Sequence, residues 1–145
     1  MFAKAKPSIE EIRARLGNLL KAAKEVNIKV DPNKALVRSL FEVSKEVFLH
    51  AKNLVQHNNP DVAQKLLIRY FENLVESDMK LLISSFTSSE HNAFTFYSWF
   101  RDVAEEAPAN FWLQLCERSF PAFSNLVILV YLAREKAKRG GFIVD

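Results

Sequence analysis

Asp31-Pro32 and Asn59-Pro60-Asp61 each place a side chain that can cap a helix directly before a proline. At the first helical position a missing N–H is harmless and a fixed φ suits the turn, so both read as helix starts. Ser8-Ile9-Glu10-Glu11, after Pro7, and Thr87-Ser88-Ser89-Glu90 add two capping boxes, in which a hydroxyl accepts from a free N–H and the glutamate reaches back. Downstream of each signal the apolar residues recur at steps of three and four, the period of an α-helix and not the alternation of a strand. With three glycines in 145 residues, few positive-φ turns are available, which argues against a sandwich or barrel. The chain is therefore expected to be all-α: a single domain over 1–145, an antiparallel bundle of about five to seven helices joined by short loops. Residues 1–7 form a basic leader and residues 140–145 a C-terminal tail.

The segments differ in how much apolar surface they carry. Ile9, Ile12, Leu16, Leu19, Ala23 and Val26 draw one narrow seam, which places the first helix at the edge. Gly17 in its interior costs about 1 kcal/mol relative to alanine. From Asp31 to near Gln56, residues such as Leu36, Leu40, Phe41, Val43, Val47, Phe48, Ala51 and Val55 cover a wide stripe, so that helix is expected to be central. The helix from Pro60 carries Ala63, Leu67, Tyr70, Phe71, Leu74, Leu81 and Leu82, with Asp78 inside the stripe. Burying that carboxylate would be costly, so a break is expected, with Ser77 capping a second short helix that ends near Phe86. The helix opened at Thr87 should stop at Ala107, because the residue before Pro108 avoids the α region. Asn110 is expected to cap a short helix through Ser119. Pro121 starts or kinks a last helix, apolar on every side from Leu126 to Leu132 and ended by Gly140, which should run through the centre.

Residues 94–100, Phe-Thr-Phe-Tyr-Ser-Trp-Phe, concentrate aromatic surface. On a helical wheel Ala93, Phe96, Tyr97, Phe100, Val103, Ala104 and Ala107 share the core face, while Phe94 and Trp99 fall on opposite flanks and need a second surface. A neighbouring helix, the tail or a partner could supply it. Trp112 beside Phe111 adds a second aromatic pair, and Phe142 and Ile143 could seat the tail in a groove. Large rings bury much area at little entropic cost, so Phe94, Trp99, Trp112, Phe142 and Ile143 are the candidate partner-contacting residues. Stacking on nucleic acid bases is the weaker expectation for this stretch, since Asp102, Glu105 and Glu106 follow at once and repel phosphates.

Net charge is +3, unevenly placed: nine Lys/Arg against four Asp/Glu over 1–38, seven against eleven over 39–118, and four against two over 119–145. Basic ends around an acidic middle suit head-to-tail association or a polyanion at the termini. If the ends meet, Lys4, Lys6, Arg134, Lys136, Lys138 and Arg139 form a phosphate-binding patch. That is the alternative expectation, a sequence-independent nucleic-acid-binding subunit of a packaging or guide complex.

Signals for chemistry are sparse. Glu46, His50 and His57 fall near one line of a helix, but without the paired Glu-x-x-His pattern of di-metal bundles they read as a solvated stripe. Cys116 is expected to be a buried core thiol and, as the single cysteine, has no partner for an internal disulfide. No glycine-rich phosphate loop or nucleophile elbow occurs. No catalytic, cofactor or metal residue is therefore nominated. The longest apolar stretch, Phe120 to Ala133, is interrupted by Pro121, Ser124 and Asn125 and falls short of the roughly 20 residues a membrane span needs. No secretory signal pattern opens the chain, so the expected setting is intracellular, most simply the cytoplasm. These features lead to the expectation of a non-enzymatic protein–protein interaction module, a small structural or adaptor subunit of a larger assembly or homo-oligomer.

Overall fold

The computed structural model describes residues 34–144. The narrow seam over 9–26, the Asp31-Pro32 start and the leader with Lys4 and Lys6 lie outside the described residues. Within them the chain is an all-α bundle of six helices with no strand: α1 (Lys34–Gln56), α2 (Pro60–Glu72), α3 (Glu76–Ser88), α4 (Glu90–Glu106), α5 (Phe111–Arg118) and α6 (Phe120–Arg139).

The turn between α1 and α2 shows how the chain manages with so few glycines. Asn58 takes φ 61°, its N–H bonds to the Val55 carbonyl, and the Asn59 N–H bonds to the Leu54 carbonyl. This is a Schellman ending with asparagine in the left-handed position that glycine usually fills. Pro60 then opens α2 as expected, but the Asn59 side chain makes no capping bond. Its backbone is already committed to closing α1.

The expected break before Asp78 is present, but it lies earlier, between Glu72 and Glu76. Val75, in extended conformation, precedes α3, and Ser77 and Asp78 fall in its first turn. A carboxylate there faces the positive end of the helix dipole and is only half-buried. α3 also runs past Phe86. Thr87 and Ser88 turn their hydroxyls back to the Ile83 and Ser85 carbonyls, and Ser89 caps α4 by accepting from the Asn92 N–H at 3.3 Å. α4 stops before Ala107 and Pro108, and Pro121 starts α6 instead of kinking it.

Two adjacent glycines end α6 for different reasons. Gly141 carries the left-handed φ of 80°, its N–H bonding to the Lys138 carbonyl while the Phe142 N–H reaches the Ala137 carbonyl. Gly140, the expected helix-ending residue, has an ordinary φ; a Cβ there would stand 2.6 Å from Glu90 Cβ. Gly140 lets the end of α6 approach the start of α4. The tail is thereby delivered to α4.

The core is built around α1 and α6. α4 and α6 share the most extensive packing, and α6 also meets α2, α3 and α5, while α1 packs against α2, α3 and α4. Phe48, Phe71, Phe86 and Phe96 interlock at its centre, with Phe48 and Phe96 edge to face at 5.5 Å and Phe86 tilted against Phe96 at 5.2 Å. Such pairs contribute about 0.5–1.5 kcal/mol each beyond the area they bury. α6 is less enclosed than expected: Leu126, Ile128 and Leu129 are buried, but Tyr131 is exposed. The core face of α4 is likewise narrower, with Ala93, Phe96 and Val103 buried and Tyr97, Phe100, Ala104 and Ala107 only half-buried.

Candidate interaction surface

The two flanking rings of α4 meet different neighbours. Trp99 turns toward α1, 5.7 Å from the Phe41 ring and 6.4 Å from Phe48, and packs on the core. Phe94 lies on the other side, where Phe142 of the tail stacks on it at 5.3 Å with planes 22° apart. His91 meets the same tail ring edge-on at 6.3 Å. Phe142 nevertheless remains 47% exposed and Val144 93% exposed, with Ile143 half-buried between them.

From this stack the rings continue along α4. Tyr97 is one turn beyond Phe94, its ring lies 6.5 Å from Phe100, and Phe100 lies 4.9 Å from Trp112 of α5. Trp112 rests edge-on against the buried Phe111 at 4.8 Å. Phe142, Phe94, Tyr97, Phe100 and Trp112 thus follow one another as a row of rings of which Phe142 is exposed and the others half-buried, with Tyr97, Phe100 and Trp112 also packing on the core. Three of the five nominated partner residues, Phe94, Trp112 and Phe142, belong to this row, and Ile143 follows Phe142 in the tail. Trp99 does not belong to it, because it faces α1.

Further exposed apolar groups were not nominated from the sequence. Leu113 is 67% exposed on α5. Its position opposite the Phe111 and Leu115 stripe on a helical wheel is a signal that could have identified it. Tyr97 and Phe100 were assigned to the core face, and only the tertiary packing reveals their open sides.

The basic residues at the end of α6 do not form one stripe. Arg134 and Lys138 are four apart on one side, and Lys136 and Arg139 are three apart on another. Lys136, Lys138 and Arg139 sit in the last turn, where cations complement the helix dipole, and Arg134 lies before it. On α4, Arg101 pairs with Glu105 at 4.0 Å, and Asp102 faces Lys52 of α1 at 4.0 Å.

A polar cluster joins α2 to α5. Gln64 is fully buried; its Nε2 donates to the Phe111 carbonyl at 2.9 Å and to Gln114 Oε1 at 3.2 Å, while its Oε1 accepts from Arg118 Nη1 at 2.7 Å. Arg118 also approaches Asp61, and the Ser119 hydroxyl donates to Glu72. A shallow groove of about 400 Å³ beside the cluster is lined by Asp61, Lys65 and Glu117. The buried amide and the guanidinium satisfy one another, which gives the cluster a tethering role between the helices.

Among the described residues no group of three or more His, Cys, Asp or Glu side chains could hold a metal ion. Glu46 and His50 are exposed, and His57 Nδ1 lies 2.7 Å from the Asn53 carbonyl. Cys116 is buried, and desolvation, reinforced by the neighbouring Glu117, pushes its thiol pKa up, away from the reactive thiolate. No described helix is long and apolar enough to cross a membrane. Comparison of the chain with protein-family models, curated proteins and solved structures gives no match.

Proposed function

We propose that this chain is a non-enzymatic protein–protein interaction module, a small structural or adaptor subunit of a larger assembly or homo-oligomer, and that the aromatic row with its tail is the contact face. The observation that carries this reading is the Phe142 and Phe94 stack. The fold delivers an aromatic ring to α4 and leaves 47% of it in solvent, beside the more exposed Val144. Large aromatic side chains are enriched among the anchors at the centres of protein interfaces. The acidic groups at the far end of α4, Glu105 and Glu106, favour a protein over a polyanion as the occupant.

Affinity capture from the source cells, using the wild-type chain and a Phe142→Asp/Val144→Asp variant shown to be folded by circular dichroism, tests the reading. A protein, or a second copy of the chain, retained by the wild type and lost from the variant supports it. Capture of the same set by both, together with a monomeric mass in light scattering at high concentration, contradicts it.

A second reading is favoured by one arrangement: Arg134, Lys136, Lys138 and Arg139 occupy the last two turns of α6, next in sequence to the exposed Phe142 ring. Cations and an exposed ring are elements of a sequence-tolerant nucleic acid site. Affinity should then fall steeply with salt. A mobility shift that weakens on replacing Lys136, Lys138 and Arg139 supports this alternative, and no shift at low salt removes it.

A further inference from the structure

A second groove adjoins the polar cluster that joins α2 to α5. It has a volume of about 410 Å³ and is lined by Lys65, Ile68, Arg69, Glu72, Asn73 and Arg118. Lys65 and Arg69 stand four apart on α2, so their like charges share one line of the helix, an arrangement that costs stability and that an anion beside them would relieve. Both are exposed, and neither makes an ion pair among the described residues. Arg118 reaches the same groove from α5 and is held in place. Its Nη1 donates to Oε1 of the fully buried Gln64 at 2.7 Å and lies 3.9 Å from Asp61 Oδ1. Its bonds use Nη1, which leaves the N–H donors of Nη2 and Nε for another acceptor. Glu72 is the one carboxylate in the lining, and it already accepts from the Ser119 hydroxyl. Three cations against one engaged carboxylate leave the groove with a charge of +2. We propose that this groove is a binding site for a phosphate monoester.

Charge and donors select a phosphate over a carboxylate. A phosphate monoester brings a charge of about −1.5 to −2 and three strong acceptor oxygens. These match the ammonium of Lys65, the guanidinium groups of Arg69 and Arg118 and the side-chain amide of Asn73. A carboxylate would satisfy one guanidinium fork and leave the other cations uncompensated. The volume leaves room beside the phosphate for the carbon that carries it, against the half-buried Ile68. A continuous phosphate backbone fits less well, because the adjoining groove, which shares Lys65 and Arg118, is also lined by Asp61 and Glu117, and they would repel the next phosphate. No residue of the aromatic row lines the site, so it stands independently of the proposed contact face.

The test titrates the isotope-labelled full chain with phenyl phosphate, and separately with benzoate at equal ionic strength, while NMR follows the backbone amides and the Asn73 side-chain amide. Phenyl phosphate is expected to give saturable shifts centred on residues 65–73 and Arg118, with affinity weakened about tenfold or more in Lys65→Gln/Arg69→Gln. Both replaced side chains are exposed, and unchanged spectra away from the groove show that the variant keeps its fold. Equal affinity for benzoate, affinity unchanged in the variant, or no saturable shift at these residues would overturn the proposal. A phosphoserine peptide then identifies the carrier. Tighter binding than phenyl phosphate assigns the ester to a modified protein, and equal or weaker binding assigns it to a small molecule; both results support the site. A single-stranded oligonucleotide that binds the same residues more tightly than either ester would overturn it in favour of nucleic acid.

Discussion

Ser44 Oγ and the Tyr70 hydroxyl lie 2.5 Å apart where α1 and α2 meet, with Ser44 fully buried. Burial holds the Tyr70 phenol above its ordinary 10.0; the Ser44 bond acts in the opposite direction and the charge of Asp78 adds to the rise. The folded chain thus retains this proton more tightly than the unfolded chain. Its contribution to stability is complete below about pH 10 and is lost as pH rises through the folded value. Denaturant melts should show the wild type weakening more steeply above about pH 10 than Tyr70→Phe. At neutral pH the variant should be less stable by about 1 kcal/mol, since Ser44 loses its partner. Gln64 offers a second test. Gln64→Leu removes the bonds to Phe111, Gln114 and Arg118, and should cost about 2 kcal/mol, because a buried carbonyl and a guanidinium are left without it. Adding Arg118→Leu should cost less than the two separate losses combined, since the two residues act through one bond. Equilibrium urea unfolding measures both.

Helix boundaries depend on which local bond wins. At Asn58 the left-handed turn makes a side chain a liability, so Asn58→Gly should raise stability by about 0.5–1 kcal/mol and Asn58→Val should lower it by about 1 kcal/mol or more. Thermal melts of the two variants provide the check. Starts that rest on proline were readable from the sequence: Pro60, Pro121 and the stop before Pro108 act through covalent geometry that no tertiary contact changes. Starts that rest on hydroxyls were read with errors of about two residues. Thr87, Ser88 and Ser89 offer the backbone competing bonds, and the helix already running through α3 captured the first two. The start of α3 after Val75 has no capping side chain, so nothing local marked it. The candidate surface was readable in the same partial way. The wheel showed that Phe94 and Trp99 needed separate cover, but which elements supplied it depended on contacts between distant residues: Phe142 for one and Phe41 for the other.

At the scale of the whole molecule, two groups of aromatic residues among the described ones take different tasks. Phe48, Phe71, Phe86 and Phe96 close the centre where the helices converge, while Phe142, Phe94, Tyr97, Phe100 and Trp112 run along the outside of α4 with surface still open. The proposed role rests on that second group. It is tested most directly by placing a photo-crosslinking phenylalanine analogue at position 142 in living source cells, with the exposed Glu106 position as a control. The account predicts a discrete protein adduct at 142, to a partner or a second copy, and none at 106. Irradiation that yields no adduct at 142, or the same products from both positions, would contradict it.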